Sequence, residues 1–125
     1  MTKNSGRILL VDDDRQTRLK LARDLGGGGF AVSEAAGGRA ALDMLRSERF
    51  DLVLLDILMP EVDGYAVLEQ MKADEATRDI PVVIISAVEN PEDVEKCMTM
   101  GAKDYLTKPV DAATLNACVA KALGD

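Results

Sequence analysis

The 125-residue chain contains no histidine. That excludes Ser-His and Cys-His nucleophile pairs and removes the commonest transition-metal ligand. Cysteine is scarce: Cys97 and Cys118 stand alone, without a CxxC spacing. Both fall in helical patterns and read as reduced, partly buried thiols rather than as a disulfide or a zinc site. No apolar run approaches the roughly 20 residues that span a bilayer. The stretch Met1 to Gly6 has no apolar signal region. The expectation is a soluble cytoplasmic protein without a membrane partner. Basic charge is also short. The net charge of −7 argues against direct binding of nucleic acid, whose phosphates need a basic surface. What remains is ample for a core. The chain is 47% hydrophobic, and its length suits one domain covering 1–125.

Buried strands announce themselves as short apolar runs that end abruptly. Leu52-Val53-Leu54-Leu55 stops at Asp56 and is followed by a loop with Pro60 and Gly64. Ile8-Leu9-Leu10-Val11 stops at Asp12-Asp13-Asp14, and Ile80-Pro81-Val82-Val83-Ile84-Ile85 stops at Ser86. Continuous apolar runs bounded by turn signals suit strands covered on both faces of a parallel sheet. Two weaker candidates are Phe30 to Glu34 and Asp104 to Thr107, the latter followed by Lys108-Pro109.

Helical spacing fills the intervals. Arg15 to Leu25 carries a stripe of Leu21, Ala22 and Leu25. Arg39 to Glu48 carries Ala41, Leu42 and Leu45, and Gly64 to about Ala73 carries Val67, Leu68 and Met71. Asn90-Pro91-Glu92-Asp93 is a helix start with a cap, a proline at the first helical position and acids in the first turn. Asp111 caps a last helix with Leu115, Cys118, Val119 and Ala122 on one face. The run Gly26-Gly27-Gly28-Gly29 lacks the Gly-Lys-Ser/Thr of a phosphate-cradling loop. It reads as a mobile connection that costs stability, since each glycine adds unfolded-state entropy.

Five strands alternating with five helices form an α/β doubly wound parallel sheet. The flavodoxin-like order 2-1-3-4-5 is expected, with its switch point between the first and third strands. Ligands bind at the carboxyl edge of such sheets. To that edge the strands deliver Asp12 and Asp13, Asp56, Ser86 and Lys108. Taken singly, each has a bland reading as a cap, a turn residue or a solvated loop residue. One Asp suffices for a cap, so three in a row exceed that need. Crowded carboxylates repel by roughly 1 to 4 kcal/mol per pair at about 4 Å, and something cationic must offset this. Lys108 supplies part. A hard divalent ion such as Mg²⁺, which takes one or two carboxylates plus water and phosphate oxygens, supplies the rest. This set suits phosphoryl transfer to a carboxylate nucleophile, which needs positioning and charge neutralisation above all. Asp56 is the expected nucleophile. Mg²⁺ would lie on Asp13 and Asp56, with Asp12 acting through a bound water. Lys108 and the Ser86 hydroxyl would hold the remaining oxygens.

The segments Val11-Asp12-Asp13-Asp14, Leu54 to Gly64, Ile84-Ile85-Ser86-Ala87 and Gly101 to Pro109 resemble those of the receiver domain of two-component response regulators. The resemblance runs from about Arg7 to Leu123. It implies that Asp56 is the phosphoacceptor. It also implies that Asp12, Asp13 and the backbone carbonyl of Leu58 bind Mg²⁺ with it, and that Lys108 binds the phosphoryl group. Ser86 is implied as the switch hydroxyl and Tyr105 as the aromatic switch that turns inward when Ser86 moves. The bond from Lys108 to Pro109 is expected to be cis, an isomer readily accessible only before proline. The implied phosphodonor is a sensor histidine kinase or a histidine phosphotransfer protein. The implied reader is a downstream effector or output domain on the face of the fourth helix, fifth strand and fifth helix, where a homodimer could also form. Such a domain is not an enzyme on other substrates; it catalyses only its own phosphorylation and dephosphorylation. Departures from the family pattern are Val110 after Pro109, Gly37-Gly38 and the tetraglycine, none at the phosphorylation site. Leu58 and Val88, two residues beyond Asp56 and Ser86, flank the path of attacking water and cannot orient it, so self-dephosphorylation is expected to be slow. The competing readings are a small Mg²⁺-dependent aspartyl-phosphate phosphatase or phosphotransferase, a flavodoxin-like binding module, and a pseudo-receiver that accepts no phosphate.

Overall fold

The computed structural model describes residues 6–124. Five strands alternate with five helices: β1 (Arg7–Val11), α1 (Arg15–Gly27), β2 (Ala31–Ala35), α2 (Gly38–Ser47), β3 (Leu52–Leu55), α3 (Gly64–Ala73), β4 (Val82–Ser86), α4 (Pro91–Thr99), β5 (Asp104–Thr107) and α5 (Ala112–Gly124). The sheet order is β2-β1-β3-β4-β5, and every pairing is parallel.

The contiguous apolar runs are explained by burial on both faces. Alternate residues of β1, β3 and β4 enter two separate cores. Leu9, Val11, Val53, Leu55, Val82 and Ile84 pack with α2, α3 and α4 on one face. Ile8, Leu10, Leu52, Leu54, Val83 and Ile85 pack with Leu21 and Leu25 of α1 and Leu115 and Val119 of α5 on the other. The period of two along a strand sends successive side chains to opposite faces. Burying a Leu or Ile side chain contributes about 1.5–3 kcal/mol, so a slip of one residue in register would exchange the two cores. The register aligns Val11 with Leu55 and so brings Asp12 and Asp56 to the same edge.

Helix starts follow the capping chemistry of the sequence. Asp14, Asp63, Asn90 and Asp111 each accept a bond from a backbone N–H three residues on. The tetraglycine departs from its reading as a loop. Gly26 and Gly27 form the last turn of α1, and only Gly28 and Gly29 lie outside it. Packing of α1 against α5 and β2 carries the helix past its propensity limit. Asn116 of α5 donates to the Asp24 carbonyl at 3.0 Å, just before the glycines. The second strand is Ala31–Ala35 rather than Phe30 to Glu34, because Phe30 is buried in the α1/α5 core ahead of the first strand pairing. The fourth strand starts at Val82 rather than Ile80, because the Ile80 N–H turns back to the Thr77 carbonyl and Pro81 has no N–H to give a ladder.

Candidate functional site

Three β-strand ends and the cis peptide Lys108–Pro109 define the site. Asp12 follows β1 and is 1% exposed; Asp56 follows β3 and is 5% exposed. Asp13 is exposed. Carboxylate oxygens from these three residues lie within 4.8 Å of one another. Lys108 reaches in from the β5–α5 loop, and its Nζ donates to Asp12 Oδ2 at 2.7 Å and to Asp56 Oδ2 at 3.3 Å.

Each acid has its own support. Asp12 Oδ1 accepts the Asp14 N–H at 2.9 Å, and Asp56 Oδ1 accepts the Leu58 N–H at 3.3 Å. No hydrogen bond or ion pair among the described residues holds the Asp13 carboxylate. The third aspartate of the run, Asp14, faces away from this chemistry. Its Oδ2 takes the Thr17 N–H at 3.0 Å and also the Thr17 hydroxyl. These bonds hold its carboxyl below the ordinary carboxylate range.

The electrostatics are those of a site short of positive charge. Burial pushes the Asp56 carboxyl above its ordinary value; Lys108 opposes that shift and the Asp12 charge adds to it. Burial alone would pull Lys108 down, but its bond to Asp12 and the charges of Asp56 and Asp12 raise it instead. One ammonium thus serves two buried carboxylates, and a third carboxylate stands beside them with no partner among the described residues. A clustered, all-oxygen donor set with one member open to solvent fits a hard divalent cation. Leu58 fits as well. Its side chain is 59% exposed, and its carbonyl accepts no hydrogen bond among the described residues.

Two neighbouring groups complete the set. Ser86, at the end of β4, is fully buried, and its Oγ accepts the Val88 N–H at 3.2 Å. Tyr105 on β5 is half-buried and packs against the α2/α3/α4 core. Its hydroxyl donates to the Val88 carbonyl. Both sides of the Val88 backbone are therefore held, one by Ser86 and one by Tyr105.

Sequence reasoning missed two further features. Gly64 must be glycine: a Cβ there would lie 2.3 Å from the Asp56 carbonyl oxygen and 2.6 Å from Ile57 Cα. The β3–α3 loop folds back so that the Gly64 N–H meets the Ile57 carbonyl at 2.9 Å, turning the chain away behind Asp56. Tyr65 donates to Asp93 Oδ1 at 2.6 Å, and Lys96 sits 4.0 Å from the centre of the Tyr65 ring. This ties α3 to α4 across 28 residues of sequence, a pairing for which the sequence carries no local signal.

Comparison with known proteins agrees with this geometry. The family model of the response regulator receiver domain matches residues 8–120. The transcriptional regulatory protein ZraR of Escherichia coli (strain K12) is 42% identical over 123 residues, which is 98% of this chain and 27% of that protein. The chain thus spans about a quarter of that relative's length. A putative response regulator from Chloroflexus aurantiacus superposes with a TM-score of 0.92 at 29% identity, covering 97% of this chain and 99% of the other. The receiver domain of a sensor histidine kinase from Pseudomonas aeruginosa, whose structure has a magnesium ion coordinated in the active-site cleft, has a TM-score of 0.89 at 30% identity, with coverage of 97% and 99%. Among the described residues, no helix is long and apolar enough to cross a membrane. With its sheet order, its acidic edge and these relatives, the chain belongs to the response regulator receiver domain family of two-component signalling.

Proposed function

We propose that residues 1–125 form one cytoplasmic receiver domain switched by a phosphoryl group on Asp56. The donor is a phosphohistidine on a sensor histidine kinase or a histidine phosphotransfer protein. The observation that carries this reading is the buried Asp56 carboxylate, with Lys108 Nζ 3.3 Å away and Asp12 and Asp13 beside it. An Asp56 oxygen attacks phosphorus, the P–N bond to the donor imidazole breaks, and the imidazole leaves with the electron pair. Lys108 is placed to follow the charge onto the new phosphoryl oxygens, as preorganised charge does in phosphoryl transfer. Asp12, Asp13, Asp56 and the Leu58 carbonyl are the groups that would hold Mg²⁺, which neutralises phosphoryl oxygen charge when bound. The remaining chemistry belongs to the protein: Asp56 is nucleophile, Lys108 is counter-charge, and Ser86 supplies a hydroxyl to a phosphoryl oxygen.

The same geometry supports a switch. Ser86 and Tyr105 hold the Val88 backbone from its two sides, Ser86 Oγ accepting its N–H and the Tyr105 hydroxyl donating to its carbonyl. When Ser86 turns to a phosphoryl oxygen it releases the Val88 N–H, which alters the support of the carbonyl that Tyr105 uses. Two positions of the 86–88 segment, biased by the phosphoryl group, are the two-state element such a switch requires. The α4–β5–α5 face then changes for an effector, an output domain or a second copy of the chain. The domain's own chemistry is limited to gaining and losing this group. The test is intact mass after incubation with acetyl phosphate, with and without Mg²⁺, beside Asp56→Asn. One phosphoryl group on the wild type with Mg²⁺ only, and none on the variant, is expected. No adduct under any condition would overturn the reading in favour of a pseudo-receiver.

A further inference from the structure

The acidic edge has a support outside the residues named so far. Arg18 lies on α1, where its charge alone would place it on the solvent face. Its side chain is only 14% exposed. NH1 donates to the backbone carbonyl of Asp12 at 2.8 Å, and Nε donates to Glu34 Oε1, near the end of β2, at 3.2 Å. One planar fork thus joins α1, the end of β1 and β2. A guanidinium suits this, because its donors keep a fixed geometry that a lysine cannot reproduce.

The carbonyl it holds is significant. It belongs to the peptide leading from Asp12 into Asp13, so fixing it fixes the direction in which the chain presents Asp13. The other parts of Asp12 are already held: its N–H donates to the Ala35 carbonyl at 3.2 Å, and its carboxylate is taken by the Asp14 N–H and Lys108. Among the described residues, the Asp13 carboxylate has no hydrogen bond or ion pair of its own. Its placement against Asp56 rests on the backbone that precedes it. The Glu34 carboxylate partners the Arg18 charge, which limits how far that charge opposes a cation beside the three aspartates.

We infer that Arg18, braced by Glu34, is a positioning residue that aims the Asp12–Asp13 backbone for divalent-cation binding. The inference rests on the proposed role of the acidic cluster. Electrostatics alone makes the opposite prediction, since removing a positive charge beside an acidic site tightens cation binding. The sign of the effect therefore separates the two. Mutating groups that orient metal ligands typically weakens binding 10- to 100-fold, and a backbone carbonyl support should lie at the lower end, about tenfold.

The test is Mg²⁺ titration by calorimetry on wild type, Arg18→Ala, Arg18→Lys and Glu34→Gln. It is accompanied by metal-free amide NMR spectra and by acetyl phosphate labelling across Mg²⁺ concentrations. The expected results are an apparent Mg²⁺ Kd about tenfold weaker for Arg18→Ala, partial recovery in Arg18→Lys, and an intermediate value for Glu34→Gln. Labelling should reach the wild-type extent once Mg²⁺ saturates. In the metal-free spectra of Arg18→Ala, the Asp13 and Asp56 amides should shift. Unchanged or tighter Mg²⁺ binding by Arg18→Ala, or shifts confined to α1 and β2, would overturn the inference. If Arg18→Ala does not fold, the Glu34→Gln and Arg18→Lys results decide by the same criteria. A wild type that takes up neither Mg²⁺ nor phosphate overturns the functional reading, while the metal-free spectra still judge the positioning role.

Discussion

Asp56→Asn should make the metal-free protein more stable, because the site stores unfavourable charge. Asp56 faces two carboxylates whose oxygens lie within 4.8 Å and one ammonium at 3.3 Å. At an effective dielectric constant of about 20, each carboxylate repels it by about 3.5 kcal/mol, and Lys108 attracts it by about 5 kcal/mol. The exposure of Asp13 weakens its share, and the burial of Asp56 adds a desolvation cost. The balance is unfavourable by about 2 kcal/mol. An asparagine keeps the shape, can still accept from Lys108, and removes the charge. With an unfolding entropy of about 2.1 cal/mol/K per residue, such a gain raises Tm by about 8 °C in a chain of this length. Without tryptophan, far-UV circular dichroism in urea and on heating, with EDTA at pH 7.5, is the suitable assay. The pH dependence follows from the direction of the Asp56 shift. Its folded-state pKa is raised above the unfolded value near 3.8, so the folded state binds the extra proton between those two values. The penalty is full above the folded pKa and disappears as pH falls to the unfolded one. The advantage of Asp56→Asn should therefore shrink on acidification. It should also shrink when Mg²⁺ is added, since ligand binding stabilises the wild type. A variant less stable than wild type in EDTA, or an advantage indifferent to both pH and Mg²⁺, would refute this account of the charge balance.

Other perturbations follow from the same geometry. Gly26→Ala and Gly27→Ala meet nothing within 4 Å in the last turn of α1. Each should stabilise by about 0.5–1 kcal/mol, measured by urea midpoint. Gly28→Ala should instead destabilise by about 1 kcal/mol, because its Cβ would lie 2.3 Å from Asn116 Oδ1 and Asn116 can move aside only by giving up its bonds to the Asp24 and Ala112 carbonyls. Gly64→Ala should lose about 2 kcal/mol and slow labelling by acetyl phosphate, since its methyl would press on the backbone of Asp56 and Ile57. The phosphorylated form should be long-lived, and Leu58→Asn with Val88→Glu should shorten its half-life at least tenfold by orienting attacking water, a change of about 1.4 kcal/mol in barrier; intact mass after removal of donor measures this.

The parts of the fold legible in the sequence were those where burial imposes a composition. The runs ending at Asp12, Asp56 and Ser86 read as strands because both their faces are covered, and their polar last residues marked the carboxyl edge. Caps such as Asn90 and Asp111 were legible because a helix end needs an acceptor at a fixed offset. Gly26 and Gly27 misled because glycine content signals a loop while tertiary packing holds them in helix. Phe30 reads as part of a strand on its apolar character, although that character serves a core contact ahead of the sheet. The Tyr65 bond to Asp93 and the Arg18 bond to the Asp12 carbonyl had no local pattern. Both depend on elements brought together only by the fold, and a charged residue at a helical polar position looks solvated until its partner is known.

The central claim is that Asp56 carries the phosphoryl group. Borohydride reduction of protein labelled with acetyl phosphate and Mg²⁺ converts an acyl-phosphorylated aspartate to homoserine, and peptide mass mapping locates it. Homoserine at position 56 alone, absent when Mg²⁺ is omitted, is the predicted result. Homoserine at position 12 or 13, or an unreduced phosphate ester on Ser86, would contradict the account.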